Sequence, residues 1–268
     1  MSFTHNINPV ILDLGPVEIR YYGLVYVLGF VLVFLYFRYL IKSRKLKLSM
    51  EELYDLIFYN MLGVLIGSRL IHCIFWNPLY YLSEPWKFFY VWEGGMAFHG
   101  GILGVAIGTY LFWKKIDKRI SFGKLGDYMS IPAIFILAIG RIVNFINGEL
   151  PGTVTDVPWC VYFPGFDGCR HPQQLYNSAM RFGIFAWLLY LNATLKAKRW
   201  KDGFIMWNMV FWSGVGRFVI DFWRDDATFL YLTAGQYLSL ILIIGGIYVF
   251  HKYYKKDCRD LFRSGSKR

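Results

Sequence analysis

Long apolar runs separated by short basic segments organise this chain. The runs fall at about 21–41, from a helix start at Ser49-Met50-Glu51-Glu52 to about 76, from His99 to the basic segment at 114, and at about 128–147, 174–195, 203–222 and 235–250. Several approach the roughly 20 residues that a helix needs to cross a bilayer. Glu52 stands three residues after Ser49, the spacing of a capping box. Most of the lysines and arginines cluster at 42–47, 114–124, 196–201 and 252–268, each against the end of an apolar run. Cytoplasmic loops carry such an excess of basic residues. The pattern therefore predicts an all-α, polytopic helical membrane protein with seven transmembrane helices, the N-terminus outside and the C-terminus cytoplasmic.

Composition removes the soluble alternative. The hydrophobic share is 56% and the charged share only 18%, unlike an ordinary soluble domain. The formal charge of +11 then reports orientation and contact with anionic lipid, with no nucleic acid partner. Residues 1–19 lack a basic start followed by an apolar core, so no cleavable signal peptide is expected. No internal repeat or second domain is visible; residues 1–268 read as one transmembrane domain. It carries an aromatic outer arm at about 77–95 and a small outer head at about 150–172. Cys160 and Cys169 fall in that head, where a disulfide is permissible. No cysteine pair has zinc-like spacing, so neither a metal nor a cofactor is expected.

Polar residues inside the runs are the candidates for function, because ionisable groups at membrane depth usually face an internal cavity. Arg141, Asn144, Asn147 and Glu149 lie in one stretch from 140 to 152. Ser213, Arg217, Asp221 and Arg224 recur at helical spacing. Tyr22, Tyr26 and Gly29 share a face of the first helix, which equally suits an aromatic belt. His99 is flanked by Gly94-Gly95 and Gly100-Gly101, and His171 and Gln174 precede the fifth run. In the topology above these groups all gather at the outer ends of the spans, which points to one cavity open to the outer leaflet. Two arginines with an acid, amides and a histidine suit a phosphate-bearing lipid headgroup, since the guanidinium fork matches phosphate oxygens. Other readings are structural. Arg69 can snorkel or pair with an acid, Asp127 can favour the N-terminus of its own helix, and Arg217 with Asp221 can form a plain i, i+4 pair. Gly63-x-x-x-Gly67 permits close helix approach.

The stretch Gly140-Arg141-x-x-Asn144-Phe145-x-Asn147-Gly148-Glu149-x-x-Gly152 resembles the signature of prolipoprotein diacylglyceryl transferases. Tyr22-Gly23-Leu24, Gly67-x-Arg69, the block from Trp92 through His99-Gly100-Gly101, Arg170-His171-Pro172-x-Gln174-Leu175-Tyr176, Gly216-Arg217 and Gly235-Gln236 resemble further blocks of that family in order. The resemblance implies transfer of a diacylglyceryl group from phosphatidylglycerol, or a similar anionic phospholipid, to the lipobox cysteine thiol of a preprolipoprotein. A thioether forms and glycerol phosphate leaves. The sulfur belongs to the substrate's signal peptide region, so the enzyme needs no nucleophile of its own. It implies a plasma (inner) membrane location with the active site toward the outer leaflet. His99 would be the base; Arg141 and Arg217 would hold the phosphate; Asn144 and Glu149 would orient the headgroup or the arginines. Tyr22, Tyr26, Gly100, Gly101, Asn147, His171, Gln174 and Asp221 would complete the substrate site.

The chain departs from the family pattern at Asp221, where glutamate is usual, and at Ser213, where tyrosine is common. Asn177 replaces an acid and Glu93 an aspartate. These bear on lipid donor and substrate range more than on reaction class. Competing readings are an anionic-lipid transporter or flippase, a serine hydrolase using Ser213 and His99, and a non-catalytic lipid-binding homologue. The first lacks an inverted repeat, and the second lacks the glycine two residues before the serine.

Overall fold

The computed structural model of the protein describes residues 3–15, 18–194 and 200–265. The basic residues at 196–199 and 266–268, the end of the fifth run at 195 and the side chain of Glu93 lie outside the described residues. The helices are α1 (Tyr21–Lys42), α2 (Met50–Phe75), α3 (Pro78–Ser83), α4 (Phe98–Lys115), α5 (Phe122–Ile146), α6 (Gln173–Thr194), α7 (Phe204–Ile220), α8 (Ala234–Tyr253) and α9 (Lys255–Gly265). Of these, α1, α2, α5 and α8 are long and apolar enough to cross a membrane. The protein is a helical, multi-pass membrane protein. The other long helices fall short of that measure: α7 has 17 residues, and α6 buries Gln173, Gln174, Asn177 and Arg181. Short strands accompany the helices, which an all-α reading omits.

The sequence sets several helix ends visibly. Ser49 Oγ accepts from the Glu52 backbone N–H at 3.1 Å, and Glu52 Oε2 accepts from the Ser49 N–H at 2.8 Å. Thr233 and Gln236 repeat this capping box at the start of α8. Such caps satisfy N–H groups that the first turn leaves without partners. Asp127 behaves differently from its sequence reading. Its own helix begins earlier, at Phe122, and its buried carboxylate accepts from the N–H groups of Gly203 at 2.7 Å and Met206 at 2.8 Å. It therefore caps α7, a partner remote in sequence.

The described residues form two compact units, Phe30–Leu125 and the combination of Met1–Gly29 with Gly126–Arg268. In the first unit α2 and α4 pack backbone to backbone. A Cβ at Gly63 would meet the Gly104 carbonyl, one at Gly67 the Gly100 carbonyl, and one at Gly108 the Tyr59 carbonyl. Residues at i, i+4 share a helix face, so this glycine stripe is a seam of close approach.

Arg69 does not snorkel, and among the described residues it pairs with no acid. It is 2% exposed. Its Nε donates to Phe88 O at 2.9 Å, Nη1 to Gly94 O and to Gly95 O at 3.3 Å, and Nη2 to Lys87 O at 2.6 Å and Tyr90 O at 3.1 Å. Main-chain dipoles thus solvate the buried cation in place of a counter-ion. The segment it grips holds two 3₁₀ turns, Pro85–Phe89 and Val91–Glu93, after α3. The Ala97 N–H then donates to Ser68 O at 2.9 Å, which fixes the entry into α4.

In the second unit β1 (Phe3–Thr4) pairs in parallel with β4 (Val161–Tyr162), which pairs antiparallel with β5 (Cys169–Arg170). Two hairpins, β2 (Val10–Asp13) with β3 (Glu18–Arg20) and β6 (Thr228–Phe229) with β7 (Leu232–Thr233), complete the strands. Cys160 and Cys169 form a disulfide beside the small sheet. Buried His5 ties the N-terminal strand to the end of α5. Its Nε2 lies 2.7 Å from Phe145 O and its ring stacks on Phe163 at 5.4 Å.

Candidate functional site

The site grows from the C-terminal end of α5. That helix stops at Ile146, and Gly148 adopts φ +67°, a left-handed conformation that favours glycine. The turn brings Glu149 back over the last helical turn, with its N–H on Asn144 O at 3.0 Å. Glu149 becomes a hub. Its Oε2 accepts from Tyr22 Oη at 3.0 Å and Asn144 Nδ2 at 3.3 Å, and its Oε1 accepts from Asn147 Nδ2 at 3.1 Å. Asn144 Nδ2 also donates to Tyr22 Oη, and Gln174 Nε2 donates to the Glu149 main-chain oxygen at 2.5 Å. Tyr22, Asn144 and Asn147 thus meet around the Glu149 carboxylate, and Gln174 holds the main chain of the same residue. Tyr26, one turn along α1, is 53% exposed and has no hydrogen bond to this network among the described residues.

The second cluster is cationic. Arg217 Nε pairs with Asp221 Oδ2 at 3.3 Å, and the Asp221 side chain is 1% exposed. Arg141 lies within electrostatic range of Arg224, Arg217, Asp221 and Tyr22. Arg181 lies within range of Arg141, Arg217 and Asp221. It is buried, and its Nη1 donates to Asn177 Oδ1 at 3.3 Å. Packing agrees, since a Cβ at Gly216 would press on Met180, the neighbours of Arg217 and Arg181 in the chain. Arg217 therefore contacts a buried carboxylate that also lies within electrostatic range of Arg141 and Arg181, a local excess of cations that an anion relieves. Tyr22 feels both Glu149 and Arg141, so the two clusters adjoin.

Arg181 was missed in the sequence because it sits within an apolar run. Its i, i+4 spacing from Asn177 was the available signal. Arg224 needs correction: α7 ends at Ile220, the chain passes through a 3₁₀ turn at Asp221–Trp223, and Arg224 pairs with Asp226 at 2.7 Å. It does not continue the helical arc of Arg217 and Asp221. His171 lies outside the network, with Nδ1 3.1 Å from Tyr176 Oη. Burial holds its pKa below the ordinary imidazole value, which favours the neutral ring. His99, Gly100 and Gly101 open α4 in the unit Phe30–Leu125. There His99 is exposed and Gly100 is buried against Gly67.

Gly235 closes on the Arg217–Asp221 pair from the start of α8. A Cβ there would run into Asp221 Oδ2 and the Arg217 guanidinium. Gly235→Ala is therefore expected to shift both groups and lower turnover by about 10²-fold, the scale of a misplacement near 1 Å. Steady-state rates of the purified variant test this, and unchanged rates would show that the pair's position does not matter.

The family model of prolipoprotein diacylglyceryl transferase matches residues 9–252. A phosphatidylglycerol–prolipoprotein diacylglyceryl transferase of Geobacter sulfurreducens is 42% identical over 239 residues, covering 88% of this chain and 89% of that relative. Proteins of the same name from Bordetella parapertussis and Legionella pneumophila are 41% and 37% identical, each over 91% of this chain and over 95% and 96% of their own lengths.

Proposed function

The chain belongs to the prolipoprotein diacylglyceryl transferase family, and we propose that it transfers a diacylglyceryl group from phosphatidylglycerol to the lipobox cysteine of a preprolipoprotein. It is a transferase, and its substrates are an anionic phospholipid and a signal-peptide segment carrying the thiol. The observation that carries this reading is the Arg217–Asp221 pair with Arg141 and Arg181 within electrostatic range of it.

The arginines hold the phosphate of the donor lipid. The substrate thiol, with an ordinary pKa of about 8.5, needs a base, and His99 is assigned that role from its sequence block. Sulfur attacks the glyceryl carbon next to the phosphate ester; the C–S bond forms as the C–O bond breaks. The electron pair stays on the phosphate oxygen, where the guanidinium groups stabilise the growing charge. Glycerol phosphate leaves, and the thiol proton passes to the base. Glu149, held by Tyr22, Asn144 and Asn147, fixes the polar wall beside the arginines. Gly100, Gly101, Tyr26 and His171 are assigned to substrate binding from their sequence blocks. The molecule forms one transmembrane domain of seven spans in the plasma membrane, N-terminus outside and C-terminus inside, with its arm, head and site toward the outer leaflet. The distribution of basic segments supports that orientation.

Expression in a bacterium depleted of its own transferase tests the activity. The wild-type chain is expected to restore diacylglyceryl modification of a reporter lipoprotein, detected by its mass. His99→Ala is expected to slow modification by about 10²–10⁴-fold, the contribution typical of general base catalysis. An unaffected rate would remove His99 from the mechanism.

A further inference from the structure

Two side-chain oxygens beside Glu149 have no hydrogen-bond partner although both are buried: Asn147 Oδ1 and Gln174 Oε1. Their identity as acceptors is fixed by their own amide nitrogens. Asn147 Nδ2 donates to the Glu149 carboxylate and Gln174 Nε2 to the Glu149 main-chain oxygen. Turning either amide over would set oxygen against oxygen. A buried acceptor left without a donor is costly, and both belong to side chains held by one residue, Asn147 by the Glu149 carboxylate and Gln174 by its main-chain oxygen. Glu149 itself is exposed, which opens the cluster to a ligand. The wall at the end of α5 is therefore acceptor-rich, and it adjoins the arginine cluster through Tyr22.

A ligand that satisfies this wall brings hydrogen-bond donors. Ammonium and hydroxyl groups both qualify, and charge separates them. With Arg224 paired to Asp226, Arg141, Arg181 and Arg217 still outnumber Glu149 and Asp221 in this neighbourhood. A cationic headgroup would meet that excess in a low-dielectric setting, whereas a neutral polyol would not.

We infer that Asn147 and Gln174 form a subsite for the neutral polyol of the donor headgroup, accepting from its hydroxyls while the phosphate faces Arg141. The inference rests on the transferase reading above and gives that site its headgroup selectivity. A site built to bond a hydroxyl rejects the analogue lacking it far more strongly than an apolar pocket rejects a changed methylene.

The test uses purified full-length protein, a lipobox peptide and mixed micelles holding one donor at a time. The donors are phosphatidylglycerol, phosphatidylpropanol, which lacks both headgroup hydroxyls, and phosphatidylethanolamine. Wild type is expected to favour phosphatidylglycerol over phosphatidylpropanol by at least about 10²-fold in kcat/KM, and to use phosphatidylethanolamine least. Asn147→Leu and Gln174→Met are expected to move the glycerol-to-propanol ratio toward one. The ratio is internal to each variant, so a partial loss of folded protein cancels. For a variant too slow to assay, retention of the two lipids measured by native mass spectrometry supplies the same ratio. A wild-type ratio near one, or a ratio unchanged in both variants, would overturn the subsite while leaving transfer itself intact. No transfer by wild type from any donor would overturn the transferase reading and this inference with it.

Discussion

Arg141→Ala is expected to abolish thioether formation without unfolding the protein. One oxyanion-stabilising donor is commonly worth about 10²–10³ in rate. A guanidinium that grips phosphate through a fork contributes more than one such bond, so the loss is expected to exceed about 10³-fold. Stability should respond in the opposite sense. Arg141 is flanked by Arg217, Arg224 and Arg181, and removing one of several like charges from a low-dielectric region relieves repulsion. Loss of activity with an unchanged or raised thermal midpoint in detergent is the combined signature. Arg141→Lys keeps the charge but loses the planar fork, and an intermediate rate is expected. The measurements are product mass on a lipobox peptide and a thermal scan of the same preparation. Near-wild-type turnover in Arg141→Ala would remove the phosphate assignment.

Gly104→Val is expected to cause the largest loss of stability. Its Cβ would fall on the Gly63 carbonyl across the α2–α4 seam. Overpacking of side chains typically costs about 1–3 kcal/mol because rotamers can adjust. Here the obstacle is main chain, which has no rotamer to yield, so the cost lies above that range. The seam includes the Gly67–Gly100 contact in the turn that bears His99, so activity should fall with stability. Gly183 in α6 is the control, since a Cβ there meets nothing within 4 Å. Gly183→Ala is expected to be neutral or mildly stabilising, by up to about 1 kcal/mol. Yield of monodisperse protein and thermal midpoint compare the two variants, and equal tolerance would show that the seam is plastic.

The contrast between these sites explains what the sequence disclosed. The capping box at Ser49, the glycine spacing of α2 and the Arg217–Asp221 pair each depend on residues three or four apart, and local spacing is written in the chain. Arg69 was legible only as an expensive cation. Its partners are carbonyl oxygens, which every residue possesses, so no side-chain pattern announces them. Asp127 caps a helix more than seventy positions away, and such pairing appears only on folding. Strands of two residues are too short for a period of two to register. The membrane reading met a subtler obstacle. The glutamines, asparagine and arginine that bring α6 to the site also dilute the apolar character by which a span is recognised. In α6 function and span signal compete for the same positions, whereas α7 falls short at 17 residues; four helices are long and apolar enough to cross a membrane where the sequence shows seven apolar runs.

The grip of Arg69 on residues 87–95 has a consequence for variation. Within that segment its hydrogen bonds go to peptide oxygens, so it constrains the path of the chain without reading the exposed side chains, although Gly95 must stay small because a Cβ there would meet the guanidinium. Exposed positions such as Phe89 and Trp92 can then be exchanged wholesale, as membrane composition demands, while the scaffold beneath them keeps its course. One buried fastening beneath an exposed surface is a route by which an engineer can retune lipid contact without disturbing catalysis.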